Sequence, residues 1–148
     1  MIKLSKLSDY AVVVLSLLAR DQSRLMTASG LSTASGIPEP TVAKVLKLLS
    51  REGVIASTRG VNGGYMLERN PAEISVTELI TALEGPIALT ACIEGSDDDC
   101  SIQEICPMSG KWAKVNATIK TALDGLPLSD LLIPVRAAQE VPLEIKDA

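Results

Sequence analysis

The chain has 148 residues, is 47% hydrophobic and contains only three aromatic side chains, Tyr10, Tyr65 and Trp112, enough for one compact domain with an appended element and an aliphatic core. It contains no histidine, which excludes Ser-His and Cys-His dyads and argues against an enzyme; with no run near twenty apolar residues and no signal-peptide pattern, it is expected to be soluble and cytoplasmic, without a membrane partner. The net charge of −4 conceals an asymmetry: residues 1–70 carry nine Lys/Arg against five Asp/Glu, net +4, and residues 71–148 carry five against thirteen, net −8, so a polyanion is expected to dock on the first half, within a screening length of roughly 8 Å.

Apolar residues at Tyr10, Val13, Val14, Leu17 and Leu18 form the stripe of an amphipathic helix over 8–21. Ser8 is the expected cap, with Asp9 in the first turn. A short, weakly helical segment spans Thr27 to Ser35 and ends at Gly36. A second strong helix follows Pro38-Glu39-Pro40, buries Val42, Val45, Leu46 and Leu49, and stops at Gly53; prolines suit a first turn, whose N–H groups have no intrahelical partner. Helix, glycine-containing turn and helix are the layout of a helix-turn-helix, whose second helix enters the major groove. The other face of that helix carries Lys44, Lys47 and Arg51 in a row begun by Pro40, which suits phosphate contact as well as an ordinary solvated face.

Residues 54–58 and 65–68 read as two short strands around Arg59-Gly60-Val61-Asn62-Gly63-Gly64. Asn-Gly predicts a type I′ turn with both central residues at positive φ. A hairpin directly after a helix-turn-helix is a wing, with Arg59 at its base placed to follow the backbone or enter a minor groove. Ser75-Val76-Thr77-Glu78 is a capping box, predicting a helix over Val76 to Glu84 that ends at Gly85-Pro86.

All three cysteines fall in one stretch, Cys92, Cys100 and Cys106, spaced C-x7-C-x5-C around Gly95, Ser96 and Asp97 to Asp99. Free cysteines are often core residues, but core thiols would scatter along the chain. An odd number clustered in a polar loop of an intracellular protein points to a metal or cluster site. Met108, Trp112, Val115, Ile119, Ala122 and Leu126 then recur at alternating spacings of four and three. That is a heptad seam, expected either to pair with a second copy or to be buried within the monomer. A palindrome-reading winged helix needs two half-sites roughly 34 Å apart, which favours the homodimer. Leu126 to Ile133 is expected to form a short closing helix, and Arg136 to Ala148 a disordered tail.

The segments K-L-S-D-Y-A, E-P-T-V-A-K-V-L-K-L-L, R-G-V-N-G-G-Y-M-L and I-S-V-T-E-L-I-T-A-L-E-G-P, with the three cysteines, resemble the winged-helix iron-sulfur regulators that include IscR, NsrR and RirA. The likeness covers nearly the whole length and is greatest to the branch described as SUF-system iron-sulfur assembly regulators. It implies a mainly α fold: a winged helix-turn-helix over 1–85, a cluster-binding loop over 86–107, a dimerisation helix with closing helix over 108–134, and a tail over 135–148. It implies a homodimeric transcription factor, most simply a repressor of cluster-assembly genes, binding a pseudo-palindromic double-stranded operator. Thr41, Lys44, Lys47, Arg51, Arg59, Gly60, Asn62 and Gly63 are the DNA-binding candidates. The cluster, 4Fe-4S in preference to 2Fe-2S, would be held by the three cysteines.

Two departures bear on mechanism. Some members carry a histidine three residues after the last cysteine, where this chain has Ser109. By resemblance to certain four-iron members, Asp9 of the partner subunit is the candidate fourth ligand, equally readable as a helix-start acid; Glu94, Asp97, Asp98 and Asp99 are further oxygen donors. Ala43 stands where the IscR branch carries a base-selecting carboxylate, shifting readout to Thr41, Lys44 and Arg59. Two other readings stay open: a zinc-binding or thiol-redox regulator, and a cluster carrier or redox protein docking an acidic partner.

Overall fold

A computed structural model describes residues 3–96 and 98–132. Five helices and one hairpin follow in chain order: α1 (Lys6–Ala19), α2 (Ala28–Ser35), α3 (Glu39–Arg51), β1 (Ala56–Thr58), β2 (Gly64–Met66), α4 (Val76–Glu84) and α5 (Ala113–Asp124), with single 3-10 turns at Pro71–Glu73 and Leu128–Asp130. The fold is mainly helical with a two-stranded antiparallel sheet, a winged helix.

The core is aliphatic, as a chain without Phe requires. Leu15, Leu18, Leu31, Leu46, Leu49, Leu67, Ile74 and Leu128 are all fully buried, where α1, α2 and α4 meet α3. The predicted stripe of α3, Val42, Val45, Leu46 and Leu49, is buried without exception. Thr27 caps α2 by accepting from the Gly30 N–H at 3.0 Å, and Gly36 closes it at φ 74°. The capping box of α4 forms in both directions: Ser75 Oγ accepts from Glu78 N at 3.1 Å, and Glu78 Oε1 accepts from Ser75 N at 3.2 Å. Glu78 is further paired with Arg69 at 2.8 Å.

Four expectations need correction. The cap of α1 is Ser5, which accepts from Leu7 N at 3.2 Å; Ser8 lies inside the helix, buried, with its hydroxyl turned to Glu84. The wing turn is not type I′. Asn62 and Gly63 both have negative φ and Gly60 takes the positive value, 112°, so five residues separate Thr58 from its partner Gly64, closed by Gly63 N donating to Gly60 O at 3.0 Å. Gly63 is needed for space: a Cβ there would strike the carbonyl oxygen of Thr58. The seam helix starts at Ala113, so Met108 precedes it in turns and Trp112 is its N-cap. The closing helix is only one 3-10 turn; Ile133 and the tail over 135–148 lie outside the described residues.

Two long-range features had no local signal. Met26 bridges Tyr65 by paired backbone bonds of 2.9 and 2.8 Å, fixing the wing against the entry to α2. Beyond α5 the chain returns to the core: Val76 N donates to Leu126 O at 2.8 Å and Leu128 N to Ile74 O at 2.7 Å, carrying Leu128 into the interior. No helix among the described residues is long and apolar enough to cross a membrane.

Candidate nucleic-acid interface and cysteine loop

The exposed face of α3 and the base of the wing enclose an open hollow of about 740 Å³. Lys47 and Arg51 border it from α3, and Arg59, Gly60 and Gly63 from the wing; Ala43 lies on its floor. Lys44 is exposed on the same helix, Thr41 is half-buried near its start, and Asn62 is exposed at the wing turn beside Val61, which is 104% exposed. Three cations, Lys47, Arg51 and Arg59, thus border one concave surface, with Lys44 exposed nearby on α3, a shape and charge that suit a duplex backbone. Arg51 also makes a 2.9 Å ion pair with Glu52. Both side chains are largely exposed, so the pair is worth well under 1 kcal/mol and a phosphate can displace it.

The three cysteines are free and partly exposed. The sulfur of Cys92 lies 3.2 Å from Thr90 Oγ1. That hydroxyl, followed by the Gly110 N–H, draws the Cys92 thiol below its ordinary range and favours thiolate. Cys100 shares an open hollow with Ser109. Cys100 is thereby placed beside the segment that follows Cys106. Among the described residues, however, no three His, Cys, Asp or Glu side chains converge as a ready-made metal site. Glu94, Asp98 and Asp99 are exposed; Asp97 lies outside the described residues.

Asp9 is elsewhere. It borders an apolar groove between α1 and α4 whose lining includes Val12, Val76 and Ile80 and no cysteine, so a single chain does not join Asp9 to the thiols. Behind Asp9, one oxygen of Glu84 accepts from Ser5 N at 3.0 Å, Ser5 Oγ at 2.5 Å and Ser8 Oγ at 2.6 Å. The Ser5 hydroxyl, then that of Ser8, holds the Glu84 carboxyl below its usual range. This knot ties the start of α1 to the residue before Gly85, where the chain leaves for the cysteine loop. Neither it nor the role of Asn116, the one residue of α5 that is buried, was anticipated.

Of the seam, Met108, Trp112, Val115 and Leu126 are 42–48% exposed, Ala122 is exposed and Ile119 half-buried. Among the described residues the seam is therefore not part of the buried core.

A family model described as Rrf2, iron-dependent transcriptional regulator, matches residues 4–133. Over 117 residues the chain is 34% identical to an rrf2-like HTH-type transcriptional regulator of Rhodobacter capsulatus, spanning 76% of this chain and 78% of that protein. Among solved structures it is similar to CymR, the global cysteine regulator of B. subtilis, with TM-score 0.62 and 25% identity over 88% of this chain and 96% of that one. It is likewise similar to T. potens IscR, with TM-score 0.58 and 27% identity over 88% and 85%.

Proposed function

The chain belongs to the Rrf2 family and is a DNA-binding transcriptional regulator, not an enzyme, and we propose that it is a cytoplasmic homodimer whose operator affinity is set by an iron-sulfur cluster on Cys92, Cys100 and Cys106. The observation that carries this reading is that three free, half-exposed thiols lie in the one segment between α4 and α5, with Cys100 sharing an open hollow with Ser109, three residues after Cys106. The donor set fits the group: thiolates are the ordinary cluster ligands, and one of the three is already biased toward the charged form. When bound, the cluster supplies a centre that responds to oxidation and iron supply. The chain's part is to bring the sulfurs together as the loop orders, at the root of α5. Three thiolates leave one position, and Asp9 fits it only from the partner subunit, since its own groove holds no cysteine. The exposed α5 seam is the surface through which two copies would meet, setting two α3 helices at operator spacing. A shift of roughly 1–3 kcal/mol between the two loop states would change occupancy about 5–150-fold. Repression of cluster-assembly genes is the simplest output, and the domain limits 1–85, 86–107 and 108–134 express the same division of labour, except that residues 126–128 pack back into the first domain.

A second reading has a specific observation in its favour. Cys92 is partly exposed, its thiol is drawn below its ordinary range by Thr90, and no preformed ligand set is present among the described residues, which suits a thiol-based switch in which Cys92 reacts directly. Anaerobic purification decides between them. A visible absorption band with stoichiometric iron and sulfide, lost in Cys92→Ala, Cys100→Ala and Cys106→Ala, is expected; colourless protein at full thiol content would overturn the cluster reading. Asp9→Ala and Asp9→Asn are expected to change the spectrum and hasten its loss in air, with Ser5→Ala as the capping control.

A further inference from the structure

Asn116 stands in the first full turn of α5, and it is buried in a helix whose other residues are exposed or half-exposed. A buried amide must be matched on both its donor and acceptor sides, and here both matches lie on one strand of backbone. Asn116 Oδ1 accepts from Leu89 N at 3.0 Å, and Asn116 Nδ2 donates to Ile87 O at 2.9 Å. The side chain thus imitates the edge of a strand and fastens the segment that leaves α4 for the cysteines. Three residues beyond Leu89 lies Cys92, its sulfur 3.2 Å from Thr90 Oγ1. Residues 87–89 are therefore attached to α5 three residues short of Cys92. Just beyond that attachment, Ile93 N donates to Thr90 O at 3.2 Å and closes a turn that contains Cys92.

We propose that Asn116 is a positioning residue for the sulfur site: it clamps Ile87 and Leu89 to α5, so that Cys92 is delivered to the root of the seam helix before any ligand arrives. The chemistry selects asparagine. Alanine would leave the half-buried Leu89 N–H and Ile87 C=O without their side-chain partner. Aspartate would keep the acceptor but set a negative charge against the Ile87 carbonyl. Glutamine keeps both functions one methylene too far out. Because the neighbouring residues of α5, Trp112, Val115 and Ile119, form the exposed seam, the clamp joins the state of the loop to the orientation of the seam through one rigid element. The inference rests on the cluster reading for its purpose, but not for its geometry.

The test uses the full-length chain carrying Asn116→Ala, Asn116→Asp or Asn116→Gln. Without cluster, amide hydrogen exchange over 86–92 is expected to quicken roughly tenfold in the Ala and Asp variants while α3 amides keep wild-type rates, since only the local bonds are lost. With cluster assembled anaerobically, its visible circular dichroism should change and its bleaching in air quicken at least about fivefold, glutamine falling between. Bleaching at the wild-type rate in the Ala and Asp variants would overturn the proposal, as would α3 amides quickening together with the loop, which marks general destabilisation. If wild-type protein never takes up a cluster, the cluster reading has failed and the clamp is judged separately. The alkylation rate of Cys92 relative to Cys106 in the thiol protein should then shift by about threefold or more in Asn116→Ala; an unchanged ratio would sink it.

Discussion

Arg59 and Lys47 border the same hollow from different elements, and their chemistry separates them. A wing arginine reading a groove is expected to cost about 1–3 kcal/mol of operator affinity as Arg59→Ala, with relaxed sequence preference. Lys47→Ala, a phosphate contact, should weaken all duplexes alike and lower the salt slope by about 1, both read by fluorescence anisotropy across a salt series. Glu84 gives a pH signature. Its carboxyl is held below the ordinary value of 4.5 by Ser5 and Ser8, so the folded chain binds that proton less readily than the unfolded one. Its contribution is complete above about pH 4.5 and disappears as pH falls through the lower folded value. Glu84→Gln should lose about 1 kcal/mol at neutral pH, discounted for its exposure, and flatten that acid limb in urea titrations.

The wing depends on a turn with no room for a side chain at Gly63. Gly63→Ala would push a methyl group against the Thr58 carbonyl and force the turn open, although φ there is negative. Operator affinity should drop by roughly tenfold or more while the thermal midpoint moves little, because the core lies outside the hairpin. The α4 cap is a stability element instead. Ser75→Ala removes the acceptor for Glu78 N and should cost about 1 kcal/mol without altering DNA affinity at a temperature where the protein stays folded.

For the molecule as a whole, the exposed seam and the return of the chain to the core pull apart the two ends of the C-terminal region. Val115→Glu is expected to convert a dimer to monomer by light scattering and to reduce operator affinity steeply, since both half-sites must be held together. Leu128→Ala, at a fully buried position, should cost about 2–5 kcal/mol in urea unfolding. The 126–128 segment thus belongs to the winged-helix core even though it follows the seam, and a fragment ending at residue 85 would lack part of its own interior.

What could be read from residues alone was whatever depends on near neighbours. The α3 stripe, the Ser75-to-Glu78 box and the helix-turn-helix with its wing are patterns of period and cap, set within a few positions along the chain. The same local logic failed at Ser8, because α1 starts earlier, at Lys6 with Ser5 as its cap, and the Ser8 hydroxyl inside the helix meets a carboxylate 76 positions away. It misjudged the Asn62-Gly63 turn, where the tight spot is set by the Thr58 carbonyl across the hairpin, and it overran the start of α5, because heptad spacing continues through turns that carry the same apolar residues. The cysteine spacing named the thiols, but among the described residues they do not converge on one point, and Asp9 lies in a groove without a cysteine. Asn116 carries no periodic or capping signal at all. Its partners lie 27 and 29 residues upstream, and a hydrogen bond between distant segments leaves no trace in the sequence until folding brings both ends to one place.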